Sequence, residues 1–135
     1  MFDFVRRFMT LGGQRTSSVP NAAASREERV LGAKLILEEA AEVCKELGID
    51  VKFDNINIII NDIGVVNLPR LAKELADLKY VATWNQILYG IPECTEIQVC
   101  ENNLAKFEEG WTKNEYGKVI PPKGWVKLVE CDLYP

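Results

Sequence analysis

The chain has 135 residues, 47% of them hydrophobic, which suits a single domain that buries roughly two thirds of its unfolded surface. A formal net charge of −4 argues against a duplex DNA binder, which needs a basic face to displace counterions, but it leaves open a nucleotide carried in by a divalent cation. There is no histidine, which excludes Ser-His-Asp and Cys-His catalysis, imidazole-dependent zinc sites and Glu-x-x-His di-iron bundles. Hydrolysis here would rest on carboxylates, lysines, hydroxyls and a metal that prefers oxygen.

In chain order, Phe2 to Leu11 reads as a short helix with Phe4, Val5, Phe8 and Leu11 on one side, ended by Gly12-Gly13. Gln14 to Ala24 is polar and loop-like. Ser25 is a candidate N-cap, and Glu28 three residues later completes a capping box, so a long helix should run from there to Leu47 and stop at Gly48. Alternation in Val51, Phe53, Ile56, Ile58 and Ile60 predicts a small β-hairpin turning near Asp54-Asn55. A second long helix opens at Pro69 and runs to about Tyr89, before Gly90. A third starts near Pro92 and ends around Glu109-Gly110. The tail beyond Trp111, with Gly117, Pro121, Pro122 and Gly124, reads as extended and loop-rich. The expected fold is all-α: a helical bundle with a small β-hairpin insertion, forming one domain over residues 1–135.

Cys44, Cys94, Cys100 and Cys131 are scattered with no CxxC pair, against a disulfide framework or a zinc site. Apolar runs such as Ile58-Ile59-Ile60 are too short to span a bilayer, and Met1 to Phe8 carries no secretory cleavage pattern. The expected location is cytoplasmic, with no membrane and no nucleic-acid polymer as partner.

Two acidic motifs carry the chemistry. The first is Glu38-Glu39-Ala40-Ala41-Glu42 and the second Glu74-Leu75-Ala76-Asp77. Residues three or four apart share a helix face, so Glu39/Glu42, Glu38/Glu42 and Glu74/Asp77 project together. Two such helices side by side could gather four or five carboxylates around hard cations, and magnesium takes oxygen ligands of this kind. Most helix glutamates are solvated surface acids. Helical phase argues otherwise here. In the first long helix Val30, Ala33, Leu37, Ala40, Cys44 and Leu47 form one apolar stripe; Leu31 and Leu35 begin a second that Glu38 and Glu42 continue. In the second, Val81, Trp84 and Leu88 extend the line through Glu74 and Asp77. Acids at positions expected to be buried repel one another and require a counter-charge, which a bound cation supplies. Raised carboxyl pKa values in a purely structural role are the alternative.

EExxE followed by ExxD on two helices resembles the all-α NTP pyrophosphohydrolases, which include MazG, the dimeric dUTPases and phosphoribosyl-ATP pyrophosphohydrolase. The likeness extends to the phage and Cof-like MazG branch. Phe8-Met9-Thr10-Leu11-Gly12-Gly13-Gln14 resembles its FMxxxGQ opening, and Lys73 to Val81 its ELADLxYV segment. Val99 to Lys106 is similar to its VxxSNxxK helix, and Gly117-Lys118-Val119 to its GKV tail. The resemblance covers residues 4–125. It implies conversion of a nucleoside triphosphate to monophosphate and pyrophosphate with two or more Mg²⁺ per site, Mn²⁺ substituting.

By position, the resemblance makes Glu39, Glu42, Glu74 and Asp77 metal ligands. Glu38 becomes a further ligand or the group that activates water, with Glu39 beside it in the catalytic pair. Asn103 and Lys106 match the substrate-contacting NxxK pair. Tyr80, Trp84, Phe8 and Gln14 are candidates for a base pocket, offering stacking surfaces and an amide, or equally core and capping residues. The sequence departs from the pattern at Cys100, where many relatives have histidine, at Pro121, where a tail lysine is common, and over Val126 to Pro135. Likeness to the phage MazZ enzymes makes dGTP or GTP the expected substrate, as part of nucleotide-pool control. A pyrimidine-selective enzyme like the dUTPases and a non-catalytic, metal-stabilised helical interaction module are the alternatives. A calcium protein is disfavoured because there is no EF-hand loop. Apolar residues on more than one face of both long helices predict a homodimer or homotetramer.

Overall fold

Helix α1 spans Phe2–Leu11 in the computed structural model of this chain, which describes residues 1–54, 57–62 and 64–126. Its length is the expected one, but its inward side is not. Val5 and Met9, four apart, are fully buried, while Phe4, Phe8 and Leu11 are exposed. Helix α2 spans Arg26–Glu46, and its start is the expected capping box: Ser25 Oγ accepts from the Glu28 N–H at 3.0 Å and Glu28 Oε2 accepts from the Ser25 N–H at 2.7 Å. Leu47 caps the other end, and Gly48 turns the chain with φ 74°.

Strands β1 (Ile49–Asp54) and β2 (Asn57–Asp62) form the predicted antiparallel hairpin, with Val51 opposite Ile60 and Asp54 opposite Asn57. Asn55 and Ile56, on which its turn was expected to fall, lie outside the described residues. Helix α3 spans Leu68–Tyr89. Asn67, not singled out from sequence, caps it by accepting from the Arg70 N–H at 3.2 Å, with Pro69 in the first turn. Gly90 ends it in the left-handed region at φ 66°.

The chain falls into two compact units, residues 1–90 and 91–135. In the first, α3 packs against both α1 and α2. Val5, Met9, Trp84, Ile87 and Leu88 form its core, with Phe2, Leu35, Tyr80 and Tyr89 packed around them. In the second, α4 runs Thr95–Leu104 and tightens into a single 3₁₀ turn, Ala105–Phe107, so the third helix is shorter than expected. Pro92 begins a turn rather than the helix: Thr95 Oγ1 donates to its carbonyl at 2.7 Å. The tail also departs from the expected loop. Strand β3 (Thr112–Lys113) pairs antiparallel with β4 (Val119–Ile120). Asn114 Oδ1 shapes the turn between them by accepting from the Tyr116 and Lys118 N–H groups. Residues 127–135, part of the divergent C-terminal segment, lie outside the described ones. The described residues are mainly α-helical, and no helix among them is long and apolar enough to cross a membrane.

Candidate metal centre

The seam between α2 and α3 positions the acids. On α2 it runs through Gly32, Leu35, Glu39, Val43 and Glu46, all buried or half-buried at spacings of three and four. At one end the helices approach closely because residue 32 has no side chain: a Cβ there would run into the Asn85 amide. Asn85 Nδ2 donates to the Gly32 carbonyl at 3.4 Å and to the Val81 carbonyl at 3.0 Å. On α3 the seam is the line expected from sequence. Glu74 is 7% exposed, Asp77 half-buried, and Val81, Trp84 and Leu88 are buried.

Further along the seam Glu39, Glu74 and Asp77 converge. One carboxylate oxygen from each lies within 4.8 Å of the others, and these three residues could hold a metal ion. Oxygens sharing one Mg²⁺ at about 2.1 Å stand at most about 4.2 Å apart, so only small side-chain movement separates the group from a ligand set. The donors are all carboxylate oxygens, the kind a hard cation takes.

Two of the five expected acids are placed differently. Glu38 and Glu42 are exposed, not buried. With Glu39 on the seam, the 3.6-residue turn puts both on one flank of α2, about 60–100° away. Glu42 still acts electrostatically. Glu39's carboxyl is raised above its ordinary 4.5, chiefly by burial, then by the charges of Asp77, Glu42 and Glu74, and the Lys73 ammonium opposes the rise. Of the apolar stripe expected on α2, Val30, Ala33, Leu37 and Leu47 are exposed and Ala40 and Cys44 half-buried; of the second strip Leu31 is exposed and Leu35 lies on the seam.

Lys73 is the residue that motif reading passed over. Its Nζ donates to Glu74 Oε1 at 3.1 Å, Glu74 Oε2 at 3.2 Å and Asp77 Oδ2 at 2.7 Å. These bonds raise its pKa above the ordinary lysine value, Asp77's contributing most. The signal was present in the sequence: lysine four residues before Asp77 and next to Glu74.

The base-pocket candidates divide. Trp84 is 3% exposed, its indole N–H donating to Gln14 Oε1 at 2.9 Å, so this pair is core and its partner rather than an open stacking face with a free amide. Phe8 is exposed and meets half-buried Tyr80 edge-to-face, with ring centroids 5.9 Å apart. Asn103 and Lys106 belong to the second unit. Asn103 is exposed, and the Lys106 ammonium lies 5.1 Å from the centroid of the Trp125 ring. A cleft of about 380 Å³ lined by Ala41, Lys45, Ile49, Asp50 and Val51 includes none of the expected site residues. No family model matches the chain, and no curated protein matches it.

Proposed function

We propose that the chain is a divalent-metal-dependent nucleoside triphosphate pyrophosphohydrolase of the all-α, MazG-like kind, converting a (d)NTP and water to the (d)NMP and pyrophosphate. The observation that carries this reading is the meeting of Glu39 from one long helix with Glu74 and Asp77 from the other. These are positions where the EExxE and ExxD resemblance expects ligands, in a chain whose lack of histidine leaves carboxylates as its hard-metal donors. A carboxylate as buried as Glu74 requires a counter-charge; Lys73 supplies one, and a divalent ion would supply a larger one shared with Glu39 and Asp77.

Glu39, Glu74 and Asp77 would hold that ion. When bound, Mg²⁺ lowers the pKa of water and offsets charge building on a leaving pyrophosphate. Glu38, exposed and next in sequence to Glu39, is the proposed base, open to water and outside the converging three. Asn103 and Lys106 carry a substrate-contacting role on the resemblance alone. dGTP or GTP is the proposed substrate, with nucleotide-pool control, as in a phage-infected cell, as the setting. The exposed apolar side chains of α2 and α3, Leu31, Leu37 and Leu75 among them, support assembly as a homodimer or homotetramer.

The test is a panel of nucleoside triphosphates in oxygen-18 water with Mg²⁺ or Mn²⁺. The expected result is pyrophosphate release, fastest from dGTP or GTP, with the label in the monophosphate. Preference for dUTP or dCTP would reassign the base and keep the reaction. A metal-raised Tm with no pyrophosphate from any nucleotide would leave a metal-stabilised helical module and overturn the enzyme reading.

A further inference from the structure

The acid group already holds a cation. One ammonium bonds to both oxygens of Glu74 and to Asp77, at 2.7–3.2 Å. The two ends of this arrangement differ in burial: the Glu74 side chain is 9% exposed and that of Lys73 is 66% exposed. Glu74 therefore depends on the ammonium, whereas Lys73 loses little packing by leaving. A lysine stem has four flexible carbons, and its compact charge stands in readily for a metal ion.

Oxygens that accept from an ammonium at these distances cannot at the same time serve a metal at about 2.1 Å without bringing two cations into repulsion. Three carboxylates and one ammonium leave two excess negative charges, and a dication in place of the ammonium halves that excess. The exchange is favoured by charge at the acids and costs the departing lysine only its hydrogen bonds.

We propose that Lys73 is the resident counter-cation of the metal-free site and that a divalent ion reaches Glu74 and Asp77 by displacing its ammonium, so that Lys73 sets the metal affinity. The proposal rests on reading these acids as metal ligands, and it makes Lys73 a positioning residue that keeps Glu74 and Asp77 together until the metal arrives.

The test titrates Mn²⁺ alone into the parent chain, Lys73→Met and Lys73→Arg by calorimetry, with Tm measured with and without the ion. Lys73→Met should bind Mn²⁺ about two- to fivefold more tightly, as removal of a competing, partly exposed ion pair implies. Its metal-free Tm should fall and be restored by Mn²⁺, while Lys73→Arg should stay near the parent in affinity. Equal or weaker Mn²⁺ binding by Lys73→Met overturns the displacement while leaving the metal site intact. No Mn²⁺ binding by any of the three chains, with a lowered Tm in Lys73→Met, removes the metal site itself and makes the ammonium a permanent counter-ion. Should Lys73→Met fail to fold, the parent still decides by ¹⁵N-lysine NMR. The hydrogen-bonded Lys73 ammonium signal, assigned with Lys73→Arg, should be lost to solvent exchange on Mg²⁺ addition. Its persistence while Mg²⁺ binds overturns the proposal.

Discussion

Gln14→Met separates two roles that its sequence position allowed. Gln14 follows the glycine pair after α1, and its Oε1 accepts from the Trp84 indole N–H at 2.9 Å. Trp84 is 3% exposed, so methionine would strand a buried donor that water cannot reach. An unsatisfied buried polar group costs about 1–3 kcal/mol. For a unit of 90 residues, at about 4–8 °C per kcal/mol, that is a Tm lower by roughly 4–24 °C. Methionine matches glutamine in length, which keeps any cavity contribution small. Circular dichroism melts, paired with Trp84→Phe and the double variant, isolate the bond: the double variant should lose less than the two single losses added, because neither partner is then stranded. At temperatures below the transition, and on the proposed activity, KM for the nucleotide should be unchanged. An unaltered Tm with a strongly raised KM would refute the structural assignment and return Gln14 to the base pocket.

Glu39→Gln tests the electrostatics of the acid group. The folded chain holds the Glu39 proton more tightly than an unfolded one, because burial and the Asp77, Glu42 and Glu74 charges raise its pKa. The resulting stabilisation is fully present below the ordinary value of 4.5 and is lost as pH rises through the raised one. The metal-free variant should therefore melt above the parent at pH 7 and converge with it near pH 4; a lower Tm at neutral pH would refute the stated cause. Gly90→Ala should cost about 2–4 kcal/mol, because φ is 66° there and a Cβ would run into the Val19 carbonyl. Chemical denaturation measures this, and a loss under about 1 kcal/mol would mean that the 17–21 loop moves away freely.

Much of the fold was legible because its punctuation is local. Ser25 with Glu28, Pro69 and the glycines at 48 and 90 carry their meaning in their own chemistry, and each ends or begins an element where expected. The face α2 turns to α3 was not legible by the same means. Its seam carries Gly32, Glu39 and Glu46 among few apolar residues, so the strongest hydrophobic period lies on the opposite face, through Val30 and Leu37. The second strip, Leu31 and Leu35, meets the seam at Leu35 alone, and extending it set Glu38 and Glu42 on the buried side. On α3 the apolar Val81, Trp84 and Leu88 share the seam with the acids, and hydrophobic period marks the right line. In α1, four aromatic or aliphatic residues outweighed Met9, although Val5 and Met9 are the ones that fill the core. The β3–β4 ribbon has two residues per strand, too few to show alternation.

The α3 seam divides its tasks along its length. From Val81 to Leu88 it is apolar and joins Val5 and Met9 in the core, so the stability of the first unit is concentrated there. From Glu74 to Asp77 it is charged and, with Glu39, self-repelling, an arrangement that opposes stability in the metal-free chain. Such a conflict between local pattern and stability, placed where two helices meet and held by a single exposed lysine, is the kind that proteins keep at functional sites. A seam selected only for packing would have continued Val81 and Trp84 with leucine or valine at 74 and 77. The apolar half can carry the strain of the acidic half because the two lie on one helix, and that helix is packed on both α1 and α2.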